Sequence, residues 1–139
     1  MDALDLKTPS APQAMLLSVG PPSTPRPLEV MTTWVDLAPG DLGTPPHRHS
    51  GPVLGYVLEG ALRFELEGAI PRTIRAGEAF SEPGGDVIHY QAANDLDDAW
   101  TRYVVVTIAP SGQPMITPAT EAELEARRDR RAPGRLASG

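Results

Sequence analysis

Short apolar segments that are separated by glycine and proline constrain this 139-residue chain more than any other feature. Between residues 28 and 110, breaks fall at Gly60, Gly68, Gly77 and the Pro83-Gly84-Gly85 turn. Turn residues at intervals of about eight to twelve residues are typical of short, sequentially connected strands. No helical pattern of ten residues interrupts this region, so the sequence predicts an all-β barrel or sandwich.

Two segments carry the clearest strand signals. LEVMTTWVDL, at 28–37, is rich in β-branched residues and ends at a Pro-Gly-Asp turn. ALRFELE, at 61–67, alternates between apolar and charged residues. The apolar face carries Leu62, Phe64 and Leu66, and the charged face carries Arg63, Glu65 and Glu67. This alternation predicts a half-buried strand. Further strand candidates are 53–59, 70–75, 78–82, 86–92 and 101–109.

The two ends of the chain differ from this middle region. Residues 1–27 hold six of the sixteen prolines and are interpreted as a Pro-rich arm, in which 14–19 could add an edge strand. Residues 113–139 form a C-terminal extension. Within it, 117–131 predicts a short helix, because Thr120 and Glu123 fit a capping box. The five arginines between 127 and 135 are interpreted as a solvated helix end. The barrel is therefore expected at 28–112.

Composition excludes several classes of function. A formal net charge of -6 argues against nucleic acid as a partner, since phosphate binding needs an excess of basic residues. The chain has no cysteine, which removes thiolate chemistry and agrees with a reducing compartment. No window approaches the roughly 18 apolar residues of a membrane span, and the first residues lack a secretory pattern. We expect a cytoplasmic protein, and eleven arginines against one lysine suggest a GC-rich bacterial genome.

The histidines are few and closely placed. His47 and His49 are one residue apart in TPPHRHSGPVLGYVLEG, and His89 is the third and last. An HxH pair alone is weak evidence, since two partly buried imidazoles are the commoner explanation. In an extended segment, however, residues two apart point to the same side, about 6.5 to 7 Å apart, so both rings could converge on one ion. A third ligand would then have to come from elsewhere, and His89 is the candidate.

HRHSGPVLGYVLEG, followed by GEAFSEPGGDVIHYQAAN, resembles the two motifs of the cupin superfamily. The resemblance implies an all-β double-stranded β-helix, or jelly-roll barrel, with a metal held inside its mouth by His47, His49 and His89. It also assigns a set of motif positions with structural roles: Gly60, Gly77, Pro83, Gly85 and Asn94.

Two departures from the family pattern bear on the site. The acid of the first motif should stand at position 53 or 54, where this chain has Val53 and Leu54, so the site resembles that of three-histidine cupins. The spacing from Gly85 to His89 is one residue longer than in the family, and so is the spacing from His89 to Asn94. A slip of one residue turns a strand side chain to the other face, so His89 reaches the site only if the glycine turn or a bulge absorbs it. A degenerate or empty site is the alternative.

Three neutral imidazoles would leave a divalent ion with its +2 charge and open positions, which favours a substrate that binds as an anion. Imidazole suits Fe, Zn, Ni or Cu, and the identity of the metal stays open. The leading hypothesis is a small metalloenzyme acting on an anionic organic metabolite, with dioxygenase-type chemistry first. The alternatives are a non-catalytic small-molecule-binding module and a metal-dependent isomerase or cyclase. Family members often pair their sheets, which suggests a homodimer.

The pocket candidates follow from strand alternation. Val53, Gly55 and Val57 would share one face near the ion, and Gln91 would share the face of His89, where it could donate a hydrogen bond to the substrate. Glu82 and Asp86 flank the second-motif turn. Each could contact an imidazole or act as a general base, but turn solvation is the expected role of both. No catalytic residue is assigned from the sequence.

Overall fold

Nine strands and one short helix make up the part of this computed structural model that is described, namely residues 16, 17, 19 and 27–132. The strands form two antiparallel sheets, whose bounds are β1 Leu28–Leu37, β2 His47–Arg48, β3 Val53–Glu59, β4 Ala61–Leu66, β5 Arg72–Arg75, β6 Ala79–Glu82, β7 His89–Asn94, β8 Thr101–Pro110 and β9 Thr117–Pro118. The first sheet has the order β1-β8-β3-β6, and the second has the order β5-β4-β7-β2-β9. This double-sheet jelly roll is the predicted all-β fold.

The core lies between the inner faces of the two sheets. Alternation along β3 and β8 turns Val57 and Tyr103 inward, and β4 contributes Leu62 and Phe64 from the opposite sheet. The Phe64 and Phe80 rings pack with their centroids 5.0 Å apart. One half of the space between the sheets is therefore filled, and the functional groups lie in the other half.

Asn94 fastens the end of β7 to three other parts of the barrel. Its side-chain amide donates to the carbonyls of Leu37, Ala38 and Ala99, at 3.2, 2.9 and 2.8 Å. Its carbonyl oxygen accepts from the Thr101 hydroxyl at 2.7 Å. Because each of these groups is buried or partly buried, leaving them unpaired would be costly. The motif asparagine is thus a structural tie that lies away from the histidines.

The C-terminal extension folds back onto the second sheet. Helix α1, Glu121–Ala126, begins with the predicted capping box of Thr120 and Glu123 and is followed by a 3₁₀ turn at Arg128–Arg130. The helix is shorter than the predicted segment, since 117–118 is instead strand β9, which pairs with β2. The extension thus adds a strand beside His47.

Two arginines of the extension hold it against the sheet, contrary to the expectation of a solvated helix end. Arg127 forms ion pairs with Glu67 and Asp86. Arg131 donates two hydrogen bonds to Glu65, at 2.9 and 2.7 Å, and its guanidinium lies 4.2 Å from the centroid of the Tyr90 ring. Glu65 points away from the core as its alternation predicts, yet it is only 1% exposed because the extension covers it.

The N-terminal arm is described only in part. Leu16 and Leu17 lie in a shallow depression on the outer face of the first sheet, bordered by residues that include Tyr56 and Val104. Neither is assigned to a strand, and half of the candidate edge strand at 14–19 falls outside the described residues. No helix in the described part of the chain is long and apolar enough to cross a membrane.

Replacing Arg131 tests whether the extension is fastened by its ion pair. We expect Arg131→Met to lower the free energy of unfolding by about 2 to 3 kcal/mol, less than for a fully buried pair because Arg131 is partly exposed. Urea denaturation measures the change. Arg130→Met, at an exposed neighbour in the same turn, is the matched control and should stay within about 0.5 kcal/mol of the unmodified protein.

A double variant separates charge from packing. Glu65→Met with Arg131→Met removes both charges from the buried position and should recover much of the lost stability. Equal stabilities of the Arg131→Met and Arg130→Met proteins would contradict a fastening role for the pair.

Candidate metal centre

Three histidines meet at one end of the space between the sheets. His47 and His89 are direct cross-strand partners in the β2–β7 pair, and His49 follows two residues after His47. One ring nitrogen from each lies within 4.8 Å of the others. The three residues are 4, 9 and 4% exposed, in the order His47, His49, His89. The structure thus brings together the residues that the motif resemblance assigned to a metal.

Backbone carbonyls fix which nitrogen of each ring is available. His47 Nδ1 lies 2.7 Å from the Pro45 carbonyl, and His49 Nδ1 lies 3.0 Å from that of Met115. His89 uses its other nitrogen, Nε2, which lies 2.9 Å from the Gln91 carbonyl. Since a carbonyl only accepts, each of these nitrogens carries the hydrogen. Nε2 of His47, Nε2 of His49 and Nδ1 of His89 are left with lone pairs for an ion.

The free nitrogens are too close to be stable as neutral groups alone. His47 Nε2 and His49 Nε2 are 3.1 Å apart, and in their neutral forms both would present lone pairs to each other. A cation, either a proton or a metal ion, relieves this repulsion. The donor set, its burial and the carbonyl bonds behind each ring all fit a divalent ion of the kind that imidazole binds.

A glycine turn before β7 and a β-bulge within it accompany the longer spacing around His89. Strand β7 pairs with β4 through Glu65–Gln91 and Leu66–His89, so Tyr90 is the extra residue of a β-bulge. Gly84 and Gly85, in the turn before β7, have φ values of 73° and 68°, and a Cβ on Gly84 would lie 2.2 Å from the Gly51 carbonyl oxygen. Only glycine fits that position. The glycine turn lies in the longer spacing before His89, and the bulge lies in the longer spacing between His89 and Asn94.

Glu82 completes the cluster, contrary to the expectation that it only solvates the turn. It ends β6, is 4% exposed, and places Oε2 at 3.1 Å from His49 Nε2 and Oε1 at 3.0 Å from His89 Nδ1. No sequence periodicity indicates this position, since Glu82 reaches the histidines through the pairing of β6 with β3. Asp86 instead pairs with Arg127, away from the cluster.

Burial and the Glu82 carboxylate shift the pKa values of the imidazoles in opposite directions. Burial lowers the pKa of His47, and its histidine neighbours add to that effect. Burial acts in the same direction on His49, but the carboxylate of Glu82 outweighs it and raises the pKa of that ring. Burial would raise the pKa of Glu82, yet its contacts with His49 and His89 lower it to about 2. The carboxylate is therefore ionised at neutral pH.

A cavity of about 170 Å³ opens beside the cluster. Its walls are mainly apolar, and hydroxyl groups and the cluster itself supply the polar atoms. The lining comprises Met31, Thr33, Val35, Thr44, His47, His49, Val53, Leu62, Phe80, Glu82, His89, Ala92, Tyr103, Val105, Thr107 and Ile116. None of these described residues is Arg or Lys. A cavity near 150 Å³ holds a molecule of about the size of benzene, so this volume suits a small metabolite.

The predicted pocket residues are distributed differently. Val53 lines the cavity. Val57 is buried in the core below it, and the space above Gly55 is occupied by Phe80, since a Cβ on Gly55 would lie 2.0 Å from the Phe80 ring. Gln91 does not line the cavity, because the bulge at Tyr90 breaks the alternation that would have put it on the face of His89; Ala92 takes that place.

The motif glycines and proline shape the turns around the site. Gly60 and Gly77 stand at turns with φ values of 80° and 88°, and Pro83 ends β6 directly after Glu82. The Gly85 amide donates to the His49 carbonyl at 2.7 Å, which ties the second-motif turn to the first motif. The turn thereby holds the backbone of one histidine while it directs the strand that carries another.

The sequence profile of the cupin domain family matches residues 33–113, more than half of the chain. With the jelly roll and the three-histidine cluster, this match defines the class: the chain belongs to the cupin domain family. A search of curated proteins gave no match. The three histidines and Glu82 lie within the matched region, whereas Met115, whose carbonyl orients His49, and the cavity-lining Met31 and Ile116 lie outside it.

Solved structures give three informative comparisons. Oxalate oxidase in complex with its substrate analogue glycolate is 25% identical, with a TM-score of 0.52, and the alignment covers 84% of this chain and 73% of that one. KdgF from Halomonas sp. is 32% identical over 58% of this chain and 68% of its own, with a TM-score of 0.46. The DMSP lyase DddQ from Ruegeria pomeroyi DSS-3 is 20% identical, with a TM-score of 0.54, and the alignment covers 65% of this chain and 43% of that one.

Proposed function

We propose that this cupin is a metal-dependent enzyme that binds a divalent ion through His47, His49 and His89 and acts on a small anionic organic metabolite. The observation that carries the proposal is the convergence of three carbonyl-oriented imidazoles beside a partly open, mainly apolar cavity. Each ring already has its N–H directed away from the centre, so little reorientation would accompany binding of an ion. The ion would supply a positive charge that polarises a bound anion.

The metal would supply the main attraction for an anionic substrate. None of the described lining residues carries a positive charge, so a substrate anion would be held by the metal and by neutral donors. Tyr103 is one such donor: burial, with Glu82 and Asp41 nearby, raises its pKa to about 12, which keeps the phenol protonated at neutral pH. Thr33 and Thr107 add hydroxyl groups to the same wall.

Oxygen-dependent oxidation of a small carboxylate or enolate is the reaction type that we favour within this class. The comparison that supports it is oxalate oxidase, whose substrate analogue glycolate is a small carboxylate. The cavity volume agrees with this choice, since about 170 Å³ accommodates a molecule of a few heavy atoms. The apolar wall around Val53 and Phe80 would exclude water from the reacting atoms.

Metal analysis tests the site itself. Protein purified without a metal-chelating tag should hold close to one equivalent of divalent metal by elemental analysis, and His47→Ala with His49→Ala should lose it, because a single remaining imidazole binds weakly. Circular dichroism of the double variant checks that the fold persists. Full metal content in a folded double variant would contradict the proposed site.

Oxygen consumption tests the reaction. The Fe(II)-loaded protein should consume oxygen with small carboxylates, diketones or thiols and should stay inactive with flavonols, which exceed the cavity. Tyr103→Phe should raise KM by about tenfold, the equivalent of roughly 1.4 kcal/mol for one hydrogen bond to an anion. A protein that binds a small carboxylate tightly but consumes no oxygen would instead be a binding module.

We further propose that the chain forms a homodimer through the outer face of its first sheet. The register aligns an apolar centre of Leu54, Tyr56, Val104 and Val106, beside which Leu16 and Leu17 of the arm lie, with the exposed Val30 and Trp34. The rim carries Arg102 paired with Asp36 and Glu59. A two-fold interface needs one surface that complements itself, and a face with an apolar centre and both signs of charge on its rim meets that condition.

Light scattering after size exclusion tests the dimer. The unmodified protein should have twice the mass of one chain, and Trp34→Glu should have the mass of one, because a charge in the apolar centre would be desolvated. Ile70→Glu, at an exposed apolar residue between β4 and β5 of the second sheet, is the matched control and should remain dimeric. A monomeric unmodified protein, or a dimeric Trp34→Glu variant, would contradict the assignment.

A further inference from the structure

The acid that the first motif lacks has a counterpart one strand away. Val53, in β3, occupies a position where cupin motifs carry an acid, and its cross-strand partner in β6 is Glu82. Both residues face inward and line the cavity. Directly opposed residues in an antiparallel pair have Cβ atoms about 4.5 to 5.5 Å apart, which is within the reach of a glutamate side chain. A carboxylate from either position can therefore approach the same centre.

Glu82 faces two imidazole nitrogens, and a cation, either a proton or a metal ion, is needed between them and the carboxylate. His49 Nε2 and His89 Nδ1, the two ring atoms that it faces at 3.1 and 3.0 Å, are the nitrogens that the backbone carbonyls leave with lone pairs. Glu82 Oε2 and His89 Nδ1 are buried and have no hydrogen-bond partner within the described part of the chain. A carboxylate facing two lone pairs is repelled unless positive charge lies between them.

We propose that Glu82 is the fourth protein ligand of the metal and takes the place of the absent first-motif acid; this inference rests on the proposed metal site. Adjacent donors each about 2.1 Å from one ion and at right angles are about 3.0 Å apart. The contacts of Glu82 with the two histidines, and that between His47 and His49, are 3.0 to 3.1 Å. These three distances are those of neighbouring ligands, and the nitrogens of the three histidines lie within 4.8 Å of one another.

This assignment changes the charge of the centre. Three imidazoles leave a divalent ion at +2, whereas three imidazoles and one carboxylate leave it at +1. A singly charged anion then neutralises the centre within an apolar cavity, and a doubly charged one leaves an excess charge that is costly to bury. Monoanionic substrates, such as monocarboxylates or enolates, are therefore the preferred class.

Titration of the metal-free protein with Co(II) alone tests the assignment, with calorimetry for affinity and visible absorption for the ligand environment. We expect Glu82→Gln and Glu82→Ala to weaken Co(II) binding by more than about 100-fold, beyond the 10- to 100-fold typical of residues that only orient a ligand. The absorption bands should also shift. Glu59→Gln, an exposed acid at the end of β3, is the matched control and should leave both readouts unchanged.

A relocation variant tests the position of the carboxylate. Val53→Glu with Glu82→Val returns the acid to the first-motif position and should recover most of the affinity lost in Glu82→Ala, with the fold verified by circular dichroism. If Glu82→Gln and Glu82→Ala bind Co(II) with unchanged affinity and spectrum while the His47→Ala, His49→Ala protein does not bind, the Glu82 assignment fails and the metal site stands. If the unmodified protein does not bind Co(II), the proposed metal site fails as well.

Discussion

Three hydrogen bonds from imidazole to backbone carbonyl are the interactions on which the site depends. They orient each ring and choose the nitrogen that it presents, and without them the three histidines would be flexible polar groups near one another. Each carbonyl comes from a different part of the chain: the loop before β2, the extension after β8, and β7 itself. The arrangement of the sheets therefore determines the direction in which each of the three lone pairs points.

The extension beyond the cupin-matched region contributes more than a covering for the sheet. Met115 orients His49, β9 pairs with the strand that carries His47, and Arg131 lies on the ring of Tyr90, the bulge residue next to His89. Each histidine thus has a neighbour or support from residues 115–131. Because side chains at a site must be held within a fraction of an ångström, such supports affect ligand geometry as much as the ligands do.

The parts of the fold that depend on local pattern could be predicted from the sequence. Strands 28–37 and 53–59 have the expected bounds, the capping box of α1 is present, and the histidines of the two motifs converge. The roles of Glu65 and Glu82 could not be predicted, since both depend on what lies across a strand pair or over a sheet face. The placement of Gln91 failed for a related reason, because a bulge of one residue reverses a face without any change in composition.

The pairing of Val53 with Glu82 has a consequence for how such sites change over time. Two positions that face each other across a strand pair can supply the same carboxylate to the same point in space, so one acid there suffices and two would repel. Substitutions at the two positions should therefore be coupled in homologous chains, with an acid gained at one as it is lost at the other. A search that requires the acid at a fixed place in the linear motif would class such chains as different sites, although the ligands around the centre are of the same kind.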